Sequence, residues 1–235
     1  MGVLLSKTAS GSIVFDLAVA ETDFLNGQSM DSRPLSAKIF DLSLAAILWM
    51  GLAISMLTTE DSWPNYFSFF TILTNFAIAI SLPIMAFWPV EKFRSHASLS
   101  FQSMLTVYTI ITGLVYNFVL RTGWVQPPAE FIGNNTLHLL VPILYVSRWV
   151  FLPKGALKWR DSLIWAGLIL IYIAYSFIRG AFVGWYPYNF IDLNKITPIA
   201  AAQNSVMVFL AIAVVGLILV AIDRCFGKFS KVSDL

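Results

Sequence analysis

Charge is scarce in this sequence. Of its 235 residues, 12% are Asp, Glu, Lys or Arg, about half of the roughly 25% usual in soluble domains. Cysteine is scarcer still. The single Cys225 excludes an intrachain disulfide and a Cys-cluster metal site. Histidine is limited to His96 and His138. There is no HExxH, no His pair at i,i+4 and no carboxylate well inside an apolar run, so a zinc or di-iron site lacks ligands and no metal is expected. No Walker-type or dinucleotide glycine loop is present, nor a GxSxG elbow, and no cofactor is expected. A net charge of +2 is too small to argue for a nucleic-acid partner. The stretch Gly11 to Ala20 is short and interrupted by Asp16, so it lacks a secretory h-region.

What is abundant is apolar. Hydrophobic residues make up 58% of the chain, more than a soluble core of this size can hide. The expectation is an all-α integral membrane protein. Six runs have spanning length: 38–57, 67–89, 98–120, 136–152, 162–179 and 200–222. The fourth contains Pro142, which predicts a kink satisfied by neighbouring helices. Twelve of the fifteen Lys and Arg residues fall in the two tails and the second and fourth loops. Only Arg121, Arg179 and Lys195 fall on the other side. Basic residues remain cytoplasmic, so a six-transmembrane-helix bundle with both termini cytoplasmic is expected, its first, third and fifth loops outside a bacterial cell or in a eukaryotic lumen. Residues 1–36 read as a poorly structured or surface-lying tail, with a natural start at Met30 as the alternative. Residues 37–225 form the transmembrane domain and 226–235 a cytoplasmic tail.

Polar groups gather at one level, in the outer half. Thr71 is expected about a turn inside the second helix, with Asn75 at i+4 and Thr74 at i+3. His138 lies at similar depth in the fourth. Asn117 and Arg121 end the third, and Tyr172, Tyr175, Ser176 and Arg179 form a stripe on the fifth. Gln203 and Asn204 open the sixth. Each has a plain structural reading. Thr commonly back-bonds to its own helix, Asn and Tyr join helices, Arg snorkels, and Asn134 and Asn135 look like N-caps before Thr136. The shared depth argues for a site. At the inner ends, snorkelling Lys and Arg are expected, with Asp41 and Asp223 near the boundary.

The chemistry left is a hydroxyl nucleophile activated by a neutral imidazole. His accepts the hydroxyl proton near neutral pH and returns it to the leaving alkoxide. Asn75, Asn117, Tyr175 or backbone N–H groups could bind an oxyanion. Asp192 is the nearest orienting group for His138 by topology. Arg121 or Arg179 could anchor a substrate carboxylate, with Trp185, Tyr188 and Asn204 completing the substrate-binding set.

Four segments carry a resemblance. They are Tyr66-Phe67-Ser68-Phe69-Phe70-Thr71-Ile72-Leu73-Thr74-Asn75, Thr112-Gly113-Leu114-Val115-Tyr116-Asn117, Asn135-Thr136-Leu137-His138-Leu139-Leu140-Val141-Pro142, and Gly184-Trp185-Tyr186-Pro187-Tyr188. In this order, over residues 38–225, the chain resembles a bacterial branch of the androgen-induced and androgen-dependent TFPI-regulating protein family. The resemblance implies a multipass hydrolase of fatty acid esters of hydroxy fatty acids. The family Thr falls on Thr71 and the family His on His138, with Thr74 an alternative nucleophile. Where the family has a Tyr-Pro-Phe-type loop, this chain has Tyr188-Asn189-Phe190. The expected activity is a threonine-dependent carboxylic-ester hydrolase, with membrane lipids and a lipid ester as partners. The competing readings are a small-molecule transporter or channel and a non-catalytic membrane scaffold.

Overall fold

The computed structural model describes residues 33–121 and 126–232. Most of the expected N-terminal tail lies outside the described residues. Seven helices carry the fold: α1 Leu35–Thr58, α2 Phe70–Phe87, α3 His96–Val115, α4 Pro128–Asn135, α5 Val141–Val150, α6 Trp159–Val183 and α7 Pro198–Val232. One-turn helices at Trp63–Tyr66 and Val90–Phe93 occupy loops, and no strand occurs among the described residues. α3 runs on into a π-helical turn, Tyr116–Leu120. A second π turn, Thr136–Leu140, joins α4 to α5 without a break. Five helices are long and apolar enough to cross a membrane: α1, α2, α3 with its π turn, α6 and α7.

The fourth expected span, 136–152, takes a different form. A helical run covers residues 128–150, divided into pieces of 8, 5 and 10 residues. It begins earlier than the apolar pattern because Pro127 and Pro128 open it, and Pro is preorganised for a first helical turn. Asn134 and Asn135 are therefore not N-caps. They sit in the last turn of α4, where Asn135 Nδ2 donates to the Phe131 carbonyl at 2.7 Å. The second helix also starts later than 67. Thr71 is its second residue rather than a turn inside. At the far end, α7 continues to Val232, through most of the expected C-terminal tail.

Cross-helix bonds fix the directions. At one end, His96 Nε2 lies 2.9 Å from Asp161 Oδ2, tying the start of α3 to the start of α6. The Leu157 N–H donates to Asp223 Oδ2 at 2.9 Å, bringing the late part of α7 beside them. At the other end, Tyr66 Oη donates to the Leu52 carbonyl near the end of α1. One core layer joins α3, α6 and α7 through Tyr108, Trp165 and Ile212. The other joins α1, α2 and α5 through Leu48, Ile78 and Tyr145. Outward positions such as Phe182, Ile171 and Val214 remain exposed and apolar, more surface than a water-facing protein tolerates. Gly51 allows one close approach. A Cβ there would meet Thr136 Cγ2 at 2.6 Å, so α1 lies directly against the π turn that carries His138.

The end holding α3's start corrects one reading. Arg148 does not snorkel but is buried, as is Asp41. Arg148 Nε donates to Asp41 Oδ1 at 2.6 Å, its Nη2 to Asp41 Oδ2 at 3.1 Å and its Nη1 to Gln102 Oε1 at 2.7 Å. Arg33 Nη1 donates to the same carboxylate at 2.8 Å and to the Met85 carbonyl at 3.0 Å. Buried polar groups also continue along α3 through Ser103, Thr106 and Thr109, so they are not confined to one end. Ser103 accepts from Trp149 Nε1 and Thr106 back-bonds to Gln102. That is the packing role expected of hydroxyls between membrane helices.

Candidate functional site

The first N–H groups of any helix have no partner within it. At α2 the preceding residue is Phe69, whose side chain cannot cap them. Two tyrosines substitute. Tyr172 Oη accepts from the Phe70 N–H at 3.2 Å and Tyr188 Oη from the Thr71 N–H at 3.4 Å. Phe69 packs edge-on against Trp185 and against Tyr188, holding the 184–197 loop over this helix start. Burial pushes the Tyr188 phenol above its ordinary value. Tyr188 is thus a neutral O–H set against the candidate nucleophile.

His138 is positioned by backbone chemistry. Pro142 has no N–H to give the carbonyl four residues earlier, and its ring crowds that carbonyl. That carbonyl belongs to His138, and the chain relieves the crowding with the π turn Thr136–Leu140. Asn117 Nδ2, from the other π turn, donates to the freed His138 carbonyl at 3.1 Å and to the Gly113 carbonyl at 2.8 Å. A Cβ on Gly113 would stand 3.0 Å from the same oxygen, so glycine is what lets α3 come this close. Single π turns within α-helices are frequent at functional sites.

The imidazole itself has one defined tautomer. Its Nδ1 lies 3.0 Å from the Asn134 carbonyl. A carbonyl only accepts, so Nδ1 carries the proton and Nε2 keeps a lone pair. The Tyr116 ring stacks on it at 3.9 Å between centroids and 17° between planes. Nε2 makes no hydrogen bond to a described residue.

Thr71 and His138 line one cavity of about 320 Å³. Tyr66, Tyr116 and Tyr188 share its wall, with Ser55, Thr58 and Gln126. Thr71, with Tyr188, also borders a smaller apolar cavity of about 50 Å³ beside Thr112 and Tyr172. Thr74 is buried and borders neither. A pocket mostly apolar with a few convergent polar groups is the usual form of a small-molecule site.

Several expected participants stand elsewhere. Asn75 Nδ2 is committed to the Thr71 carbonyl at 2.8 Å, while its Oδ1 is buried without a partner. Asn117 is committed to the two backbone carbonyls. Neither lines the cavity, so neither is a free oxyanion donor. Tyr175 Oη pairs with Ser68 Oγ at 2.8 Å. Asp192 does not orient His138; its Oδ1 accepts from the Asn194 N–H at 2.9 Å and so shapes its own loop. Asn204 Nδ2 donates to the Phe190 carbonyl at 2.7 Å, fixing that loop to α7. Arg121 contacts Asn135 Oδ1 at 3.2 Å and faces the Phe131 ring. Arg179 donates to Asn65 Oδ1 at 2.7 Å and lies over Trp185.

The charged groups on the 320 Å³ cavity are acidic instead. Asp61 and Glu130 line it, and Arg121 and Arg179 do not. Burial pushes the Asp61 carboxyl upward, against a lowering bond from Asn65. Asp61, Glu130 and Gln126 lie between the apolar runs, so the shared depth of polar groups within the spans does not point to them; Tyr116 belongs to one of the four resembling segments but has no assigned role there. Comparison with known protein families, with curated proteins and with solved structures finds no match.

Proposed function

We propose that this chain is an intramembrane lipid-ester hydrolase, with Thr71 as nucleophile and His138 as base. The observation that carries the reading is the shared cavity, with a hydroxyl from α2 and an imidazole whose Nε2 bonds no described residue. In the proposed reaction His138 Nε2 takes the Thr71 hydroxyl proton as its oxygen attacks the ester carbonyl. The proton then passes to the departing alkoxide, and water releases the acyl group from Thr71. In this reading Tyr188 Oη, which shares the cavity wall, donates to the developing oxyanion. The family resemblance supports the same residue pair and a substrate like the fatty acid esters of hydroxy fatty acids. The acidic lining points to the neutral, apolar part of such a lipid as what enters. The reading includes six passes, cytoplasmic termini and a site in the outer half of a bacterial inner membrane.

Two measurements test it. Purified protein in detergent is offered neutral lipid esters and esters bearing a free carboxylate. We expect slow turnover, faster for the neutral members; no turnover across the panel above that of Thr71→Ala removes the enzyme reading. For sidedness, a cysteine placed at Asn194 on a Cys225→Ser background should react with an impermeant thiol reagent on intact cells. One at Lys158 should react only after permeabilisation. The reverse pattern would move the site to the cytoplasmic side.

A further inference from the structure

The end of the bundle opposite Thr71 contains a second cavity, of about 480 Å³, lined by Arg33, Arg94, Arg148 and Asp41 among apolar residues. Among the described residues its charge does not balance. Two guanidinium groups bind one carboxylate, so the cluster of Arg33, Asp41 and Arg148 retains a positive charge, and Arg94 adds another at the rim. Each guanidinium has five N–H groups. Described partners use five of the ten: two from Arg33 and three from Arg148. Arg33 Nε and Nη2 bond no described residue. An unbalanced charge at the edge of a low-dielectric bundle is costly unless an anion meets it.

The walls say which kind of anion. Phe93 is buried beneath Arg33, whose guanidinium carbon stands 4.1 Å from the ring centroid. Phe40 and Phe151 line the same cavity and are exposed on the outer surface. An apolar path therefore leads from the arginines to the lipid-facing side. A free inorganic anion has no use for such walls; an acyl chain does. We propose that this cavity binds an amphiphile with one anionic head group, phosphate or carboxylate, on Arg33, Arg94 and Arg148, its chain lying along Phe40 and Phe151. The site is separate from the ester-hydrolase reading and does not depend on it.

The test uses the full chain in phosphatidylcholine nanodiscs, titrated with phosphatidylglycerol or oleate, with retained lipid counted by native mass spectrometry. We expect one anionic amphiphile retained in preference to phosphatidylcholine. Arg33→Gln and Arg94→Glu should each weaken retention about tenfold, the scale of losing one charge-assisted contact. Arg94 makes no hydrogen bond to a described residue, so its variant keeps the test open if Arg33→Gln folds poorly. Arg160→Gln, exposed near the same end and outside the cavity, should change nothing. Retention of either phosphatidylglycerol or oleate supports the site and identifies the head group. Equal loss in Arg160→Gln reduces the effect to general surface charge and overturns the proposal. So does equal retention of phosphatidylcholine, or displacement of the lipid by inorganic phosphate alone.

Discussion

His138→Ala loses about 10²–10⁴-fold in kcat for ester hydrolysis, the usual contribution of a positioned general base. Thr71→Ala loses at least as much, and the double variant loses little more than either alone, because the two act as one unit. Tyr116→Leu, which removes the ring stacked on His138 and the hydroxyl that accepts from Gln126 Nε2, should cost far less. The measurement is single-turnover hydrolysis with matched thermal unfolding curves. Independent, additive losses in the double variant would mean that the two residues act separately and would remove the nucleophile–base assignment. Thr74→Ala serves as the contrast. Its hydroxyl borders neither cavity at this end, so activity should persist.

Asp41→Ala produces the largest loss of stability, about 3–5 kcal/mol, because it leaves the Arg148 guanidinium buried with no counter-charge. Thermal unfolding in detergent reads this directly. Replacing the pair together, Asp41→Leu with Arg148→Met, should recover most of the loss. A buried pair exchanged for apolar side chains is often neutral, whereas breaking one is not. A double variant as unstable as Asp41→Ala would show that the bonds from Arg33 and Gln102, rather than the pair itself, set the cost.

How much was legible follows the range of each interaction. The apolar runs behind α1, α2, α3, α6 and α7 are local, and hydropathy found them. The start of α4 was hidden because Pro127 and Pro128 lie upstream of the apolar stretch that marks a span. Thr71 lies nearer its helix start than the apolar pattern predicts for a related reason. The start of α2 is capped by Tyr172 and Tyr188, about a hundred residues away, so no local capping signal exists to read. Pro142 did announce a distortion, but not its partner, since only the fold brings Asn117 to the His138 carbonyl. The pairing of Asp41 with Arg148 spans 107 residues. In the sequence, each looks like an ordinary charge at a helix end.

That separation also has a consequence in time. At synthesis rates of about 5–20 residues per second, roughly 5–20 s pass between the making of Asp41 and that of Arg148. α1 enters the membrane during this interval with a carboxylate whose main partner does not yet exist. Arg33, only eight residues away, is already there. It can accompany Asp41 as a provisional counter-ion and later share it, so that the nascent helix is never committed to the bilayer with a lone charge.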